Sequence, residues 1–242
     1  MINETKRIQS VERSFMILEA LAASDSAIPL QQLSEQLNLN KTTLHGLLNT
    51  MAAMGYISNT CRGYRLGLRL GELSRSLDHT YDSLREQYRP LIRNMSSSTG
   101  HTAYLAVPCG TREYLYIEAV EGENPLTIRS PRGRREGLTT SAIGKLFVAL
   151  DEELDLRRSL RKAGKLKPEI EQKLDKIVHQ GYSIDHGGAQ PGLSCMSIPL
   201  FHSGCLIAAA GMSGPTQELT TEKLTHYASI FKKQSLNCKP II

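Results

Sequence analysis

Leu39-Asn40-Lys41-Thr42-Thr43-Leu44-His45-Gly46-Leu47-Leu48-Asn49 sorts its residues onto two faces once it is placed on a helix. Leu44, Leu47 and Leu48, continued by Met51 and Met54, form an inward stripe, while Asn40, Lys41, Thr42, Thr43, His45 and Asn49 lie off it. Asn40 is a favoured N-cap residue, and Gly55 stands at the expected C′ position. A helix that is apolar inside and carries short donors and acceptors outside has the chemistry of a recognition helix, which reads base edges in the major groove of DNA. Lys41, the threonine hydroxyls and the free N–H groups of the first turn suit phosphates, and His45 and Asn49 suit bases.

The flanking sequence supplies the rest of such a unit. Upstream, Ile8, Val11, Phe15, Leu18 and Ala22 recur every three or four residues, which predicts a helix over 8–22 with Ser10 as its N-cap. After a polar break at Asp25-Ser26-Ala27, Pro29 opens a second helix carrying Leu30, Leu33 and Leu37, closed by Asn38. Downstream, Tyr56-Ile57-Ser58 and Tyr64-Arg65-Leu66 read as extended pieces around a turn containing Asn59, Arg62 and Gly63. Helix, helix, tight turn, helix and hairpin make a winged helix-turn-helix. Arg62 and Arg65 near the hairpin tip suit a wing lying on the DNA backbone or in the minor groove. The same shape also serves as a protein-binding or scaffolding domain, and that reading predicts no retention of DNA.

From Leu66 to Met95 the apolar spacing is nearly heptad. Pro90 and Asp78-His79-Thr80 are helix-breaking signals, so two helices are expected, with a domain boundary near residue 78 and a connector that also suits a dimer seam. Beyond Gly100 the pattern changes to alternation. Thr102–Val107, Glu113–Glu118 and Leu126–Arg129 read as strands, followed by helices near Ser141–Leu150, Glu152–Ala163 and Pro168–Gln180. Strands at Tyr182–Asp185, Ser194–Leu200 and Cys205–Met212 and a helix over Thr220–Leu236 complete an α+β domain around a mostly antiparallel sheet. The expected organisation is a DNA-binding winged helix-turn-helix over 1–66, a helical linker over 67–80 and a second domain over 81–242.

Composition narrows the classes further. The 242 residues are 40% hydrophobic and 22% charged, ordinary globular values that exclude a disordered or collagen-like chain. No apolar run is long enough for a membrane span, and residues 1–7 begin no secretory signal, so a cytoplasmic location is expected. The five cysteines are scattered and never spaced as CxxC, which argues against a disulfide framework or a zinc site. Neither a metal nor a cofactor is expected. The net charge of +5 hints at an anionic partner, yet residues 1–77 hold eight Lys/Arg against six Asp/Glu, only +2. Placement of charge, not its sum, makes the case for DNA.

Ser10-Val11-Glu12-Arg13, Ile17-Leu18-Glu19 and Leu33-Ser34-Glu35-Gln36-Leu37, with Leu39–His45 and Gly55-Tyr56-Ile57, resemble the DNA-binding head of the IclR family of bacterial transcriptional regulators. The resemblance continues through Tyr64–Gly67, Arg89-Pro90-Leu91, Gly144-Lys145, Gly181–Asp185, Pro191–Cys195, Ile198-Pro199 and Ser213-Gly214-Pro215, in order along nearly the whole chain. It implies a GAF-like second domain that binds a small effector, an organic acid or sugar acid, and a homodimer or homotetramer on a pseudo-palindromic operator. Repression of a catabolic operon is the expected outcome, with activation as the alternative.

Thr140 or Ser141 is placed to cap a helix whose first N–H groups, at Ser141, Ala142 and Ile143, make an anion site suited to a carboxylate. Asp185, Cys195 and Ser213 match the pocket-lining positions that the resemblance implies. Three positions depart from the family pattern. Gly46 stands where an arginine is usual, His186-Gly187-Gly188 replaces acidic residues after Asp185, and Gly211 replaces a serine. Gly211 is expected to leave room for a ligand larger than a simple keto acid. The rival of a different class is a thiol-dependent enzyme using Cys195 with His186 or Asp185. Arg129–Arg135 reads as a solvated loop or protomer contact, with pairing of Arg132–Arg135 to Glu136 or Glu121 as the other option.

Overall fold

The computed structural model describes residues 8–123 and 132–238. Contacts divide the chain into two compact units between Thr80 and Tyr81. The first comprises α1 (Gln9–Ala22), α2 (Leu30–Leu37), α3 (Lys41–Ala53) and a hairpin of β1 (Ile57–Thr60) and β2 (Gly63–Leu66). Ile17, Leu21, Leu33, Leu44, Leu48, Met51, Ile57 and Tyr64 bury together as its core. Asn38 ends α2 in the left-handed region at φ 50°, a conformation Asn tolerates, and the Leu39 N–H returns to Ser34 O at 3.1 Å. Only three residues therefore separate α2 from α3. The hairpin is tied back by a two-way bond between Ile28 and Tyr64, at 2.8 and 2.9 Å. That approach requires glycine next door, because a Cβ on Gly63 would lie 2.4 Å from Ile28 O.

Several local expectations give way to the fold here. Ser10 sits inside α1, whose N-cap is Ile8 with no side-chain bond; the Ser10 carbonyl instead receives the Ser14 hydroxyl at 2.8 Å. The predicted α1 stripe of Ile8, Val11, Phe15, Leu18 and Ala22 is offset from the observed one: Ile17 and Leu21 turn to the core, Leu18 is half-buried, and Ile8, Val11, Phe15 and Ala22 stay exposed. Met54, expected inside, is also exposed.

The expected pair of helices over 66–99 is one helix, α4 (Arg69–Thr99), with Pro90 inside it and no break at Asp78-His79-Thr80. Proline deletes one ladder hydrogen bond. Burial of Tyr88, Leu91, Ile92 and Met95 on either side of it outweighs that loss.

In the second unit six strands form one antiparallel sheet in the order β5-β4-β3-β8-β7-β6. These are β3 (Thr102–Cys109), β4 (Glu113–Val120), β5 (Arg135–Gly137), β6 (Ser183–His186), β7 (Leu193–His202) and β8 (Cys205–Pro215). Alternation sends Ala103, Leu105, Ile198, Ala210 and Met212 to one face, where the C-terminal half of α4 and α8 (Thr221–Ser235) cover them. The opposite face lies under α5 (Ala142–Leu150), α6 (Leu156–Lys162) and α7 (Pro168–Gln180). α6 begins later than expected because Asp151 Oδ1 takes the Glu153 N–H and Asp155 adopts φ 46°. The strand β5 begins at the last arginine of what reads as a basic loop, and the strand expected at Leu126–Arg129 lies outside the described residues.

Candidate functional site

In the first unit, Asn40 caps α3 by accepting the Thr43 N–H at 2.8 Å. This orients the helix start and commits the Asn40 oxygen to the backbone. Lys41, Thr42, His45 and Asn49 are exposed on α3, and Thr43 is half-buried. The Asn49 amide donates to His45 Nδ1 at 3.2 Å, which leaves the ring's Nε2–H directed away as a donor and the Asn49 oxygen as an acceptor. Arg62 and Arg65 are exposed on the hairpin, whose turn is held by Thr60 Oγ1 donating to Gly63 O at 2.7 Å. A Cβ on Gly46 would meet nothing within 4 Å, so this position is open surface on the same helix.

In the second unit a cavity of about 90 Å³ lies between the sheet and the start of α5. Register brings its parts together from distant sequence, with Asp185 opposite Cys195 across β6–β7 and Cys195 opposite Ser213 across β7–β8. Ser141, Ala142, Ile143, Cys195 and Ser213 all line it. Asp185 does not. It is buried beside the cavity in an ion pair with Lys145, itself buried, and accepts N–H bonds from Gly188 and Ala189 at 2.8 and 3.2 Å. Lys145 Nζ also donates to Thr140 O at 2.9 Å. The group expected to meet a ligand is thus saturated by its own chain, and it holds α5 and the loop after β6 in place.

The departures at the two glycines acquire physical causes. A Cβ on Gly188 would lie 2.6 Å from the Asp185 carboxylate and 2.7 Å from Thr140 O, so only glycine lets the loop wrap that anion. The space beside Gly211 is not free for a ligand, because Ile143 Cδ1 lies 2.8 Å from where its Cβ would be. Filled by Ile143, the site is small.

Residue spacing alone did not single out Tyr104, Tyr116, Arg134, Glu136 and Gln190, which also line the cavity. A signal existed in the period-two pair Tyr114 and Tyr116, which alternation places on one face. Ser141 Oγ accepts the Gly144 N–H at 3.0 Å and donates to Tyr114 at 2.8 Å; Tyr114 donates to Glu136 Oε2 at 2.7 Å and Tyr116 to the same oxygen at 3.1 Å. Tyr104 pairs with Ser213 Oγ at 2.7 Å. Burial pushes the Tyr104 phenol up to about 12, and raises Tyr114 and Tyr116 further, so all three remain neutral hydrogen-bonding groups at ordinary pH.

Burial, aided by the nearby Asp185 charge, likewise lifts the Cys195 thiol to about 12. The His186 ring that would serve as its base is engaged by Ser194 Oγ at 2.8 Å and Thr221 Oγ1 at 3.0 Å. A nucleophilic cysteine needs the opposite conditions, an electropositive setting and an adjacent base. Among the described residues no His/Cys/Asp/Glu cluster is placed to hold a metal, and no helix is long and apolar enough to cross a membrane. Of the basic run, Arg134 lies 3.9 Å from Glu136 and Arg135 lies 3.6 Å from Glu113.

Comparison with known proteins agrees with both halves of this description. Residues 10–60 match the IclR helix-turn-helix domain, and residues 79–238 match the bacterial transcriptional regulator IclR C-terminal domain. The chain belongs to the IclR family. Among its relatives, the HTH-type transcriptional regulator XynR of Escherichia coli is 29% identical over 241 residues, covering 95% of each chain. The transcriptional repressor IclR of Escherichia coli is 25% identical over 242 residues, covering 95% of this chain and 88% of that one. An IclR homolog from Microbacterium hydrocarbonoxydans, solved in complex with 4-hydroxybenzoate, shares the fold with a TM-score of 0.69 at 19% identity, covering 95% of this chain and all of that one. This IclR-family chain is therefore a DNA-binding transcriptional regulator of the helix-turn-helix type with an effector-binding domain.

Proposed function

We propose that the protein represses a catabolic operon, acting in the bacterial cytoplasm as a homodimer or homotetramer on a pseudo-palindromic operator, and that a small carboxylate in the α5 cavity controls it. Residues 1–66 would form the DNA-binding head, 67–80 the linker and 81–242 the effector domain. The observation that carries the reading is the contrast on α3, where a buried leucine face backs an exposed row of Lys41, Thr42, His45 and Asn49. Lys41, Thr42, Thr43, Arg62 and Arg65 contact phosphates, His45 and Asn49 contact bases, and Asn40 positions the helix start. The carboxylate is received by the first-turn N–H groups of α5 at Ser141, Ala142 and Ile143, with Cys195 and Ser213 beside it. Asp185 acts behind that wall as a positioning residue. That the relative IclR of Escherichia coli is a transcriptional repressor supports repression over activation. Effector control requires different affinities for the DNA-competent and incompetent arrangements of the protein.

Retention of the protein's own upstream DNA tests the reading. Lys41→Ala is expected to weaken binding evenly across sequences and to lower the salt slope by about 1. His45→Ala and Asn49→Ala are expected to relax sequence preference instead. If both classes behave alike, the role assignment fails; if no DNA is retained at low salt, the domain is a protein-binding module.

A further inference from the structure

We propose that the cavity takes a small carboxylic acid bearing hydroxyl groups, and that Glu136 is the residue that selects the hydroxyl. This deepens the effector reading above and rests on it.

A site built for a bare anion would offer donors on every side, whereas this cavity includes a carboxylate in its wall. Glu136 Oε2 receives two phenols, while Oε1 faces Arg134 Nε at 3.9 Å, beyond hydrogen-bond reach. A carboxylate has about four acceptor positions, and the two phenols take two of them. No further donor reaches Glu136 among the described residues, so acceptor capacity remains for a donor inside the cavity. A ligand carboxylate is repelled from this wall and is received at the α5 end, where the first-turn N–H groups have no intrahelical partners. The two ends demand different chemistry of one ligand: an anion at α5 and a hydrogen-bond donor at Glu136.

A hydroxyl fits the second end better than an ammonium, because Arg134 already lies beside Glu136 and offsets its charge. The Tyr104–Ser213 pair adds two further hydroxyls that both donate and accept, as hydroxylated ligands require. The carboxylate is also held before any ligand arrives. The chain from Gly144 N–H through Ser141 and Tyr114 to Glu136 ties it to the cap of α5, so ordering it costs little on binding. Size limits the acid. The cavity measures about 90 Å³, and Ile143 occupies the room beside Gly211.

The test uses the full chain and four probes of similar size titrated by calorimetry: propanoate, lactate, glycerate and alanine. Lactate and glycerate are expected to bind at least about tenfold more tightly than propanoate, since a site built to bond a hydroxyl discriminates against the analogue lacking it. Glu136→Leu should abolish this preference while propanoate affinity persists, and Glu136→Gln, which keeps an acceptor oxygen, should retain part of it. Thermal unfolding without ligand shows whether each variant is folded, and the Gln variant decides the matter if the Leu variant is not. Equal binding of propanoate and lactate by the wild type, or an undiminished preference in the folded Leu variant, overturns the role of Glu136 while the effector site stands. Tightest binding of alanine overturns the hydroxyl in favour of an ammonium. If no probe binds any of the three proteins, the effector reading falls and takes the inference with it.

Discussion

The polar side chains of α3 and those around the α5 cavity live under opposite conditions. On α3, Lys41, Thr42, His45 and Asn49 face solvent, with His45 and Asn49 bonded to each other. Around the cavity, Lys145, Asp185, Ser141 and Ser213 are buried, and each is held by specific partners. Under the proposed roles, the difference follows from the size of what each surface meets. DNA is wide and arrives with its own charges and waters, so its readers stay solvated and cost the fold little. A small effector must be enclosed, and every enclosed polar group needs a partner of its own. Substitutions in the two regions should therefore separate loss of stability from loss of recognition.

The largest effect is expected at the buried ion pair. Lys145→Met leaves Asp185 charged and uncompensated, at a cost of about 3–5 kcal/mol by denaturant titration, and Lys145→Met combined with Asp185→Leu should recover much of it. A loss below about 1 kcal/mol for the single variant would mean that the pair is not closed in the folded protein. An intermediate effect is expected where the head does depend on a polar bond. Asn40→Ala removes the α3 cap and should cost about 1 kcal/mol, with DNA affinity falling through misplacement of the helix start. The smallest effect has the opposite sign. Gly46→Ala fills open space mid-helix and should raise stability by up to about 1 kcal/mol, measured as a higher melting temperature. If this exposed change destabilises instead, the α3 surface is not free, and the contrast between the two regions weakens.

Much of the head was legible because its determinants are local. Asn38, Asn40 and Gly55 bound α2 and α3 as capping rules require, and α7 ends at Gly181 at φ 72°. Local rules failed where tertiary burial outweighed them, as at Pro90 in α4, or where helical periodicity did not say which face turns inward, as in α1. The cavity was half legible. Ser141, Ala142, Ile143, Cys195 and Ser213 were named from the sequence and meet in one place, whereas Glu136 and the tyrosines were not. Glu136 lies on a three-residue strand just after a basic run, and nothing near it in sequence announces two phenols from β4.

What the sequence by itself determined is therefore the kind of protein: a helix-turn-helix head with an inner leucine face and an outer polar one, a helical connector, and an α+β sensor. These follow from periodicity, caps and charge placement, which act over a few residues. Only the tertiary structure decided which groups remain available to a ligand. Asp185 is taken by Lys145 across 40 positions, the space at Gly211 is taken by Ile143, and Glu136 Oε1 has no hydrogen-bond donor among the described residues. Such outcomes depend on strand register and helix packing, which bring together atoms whose sequence separation carries no information about their distance.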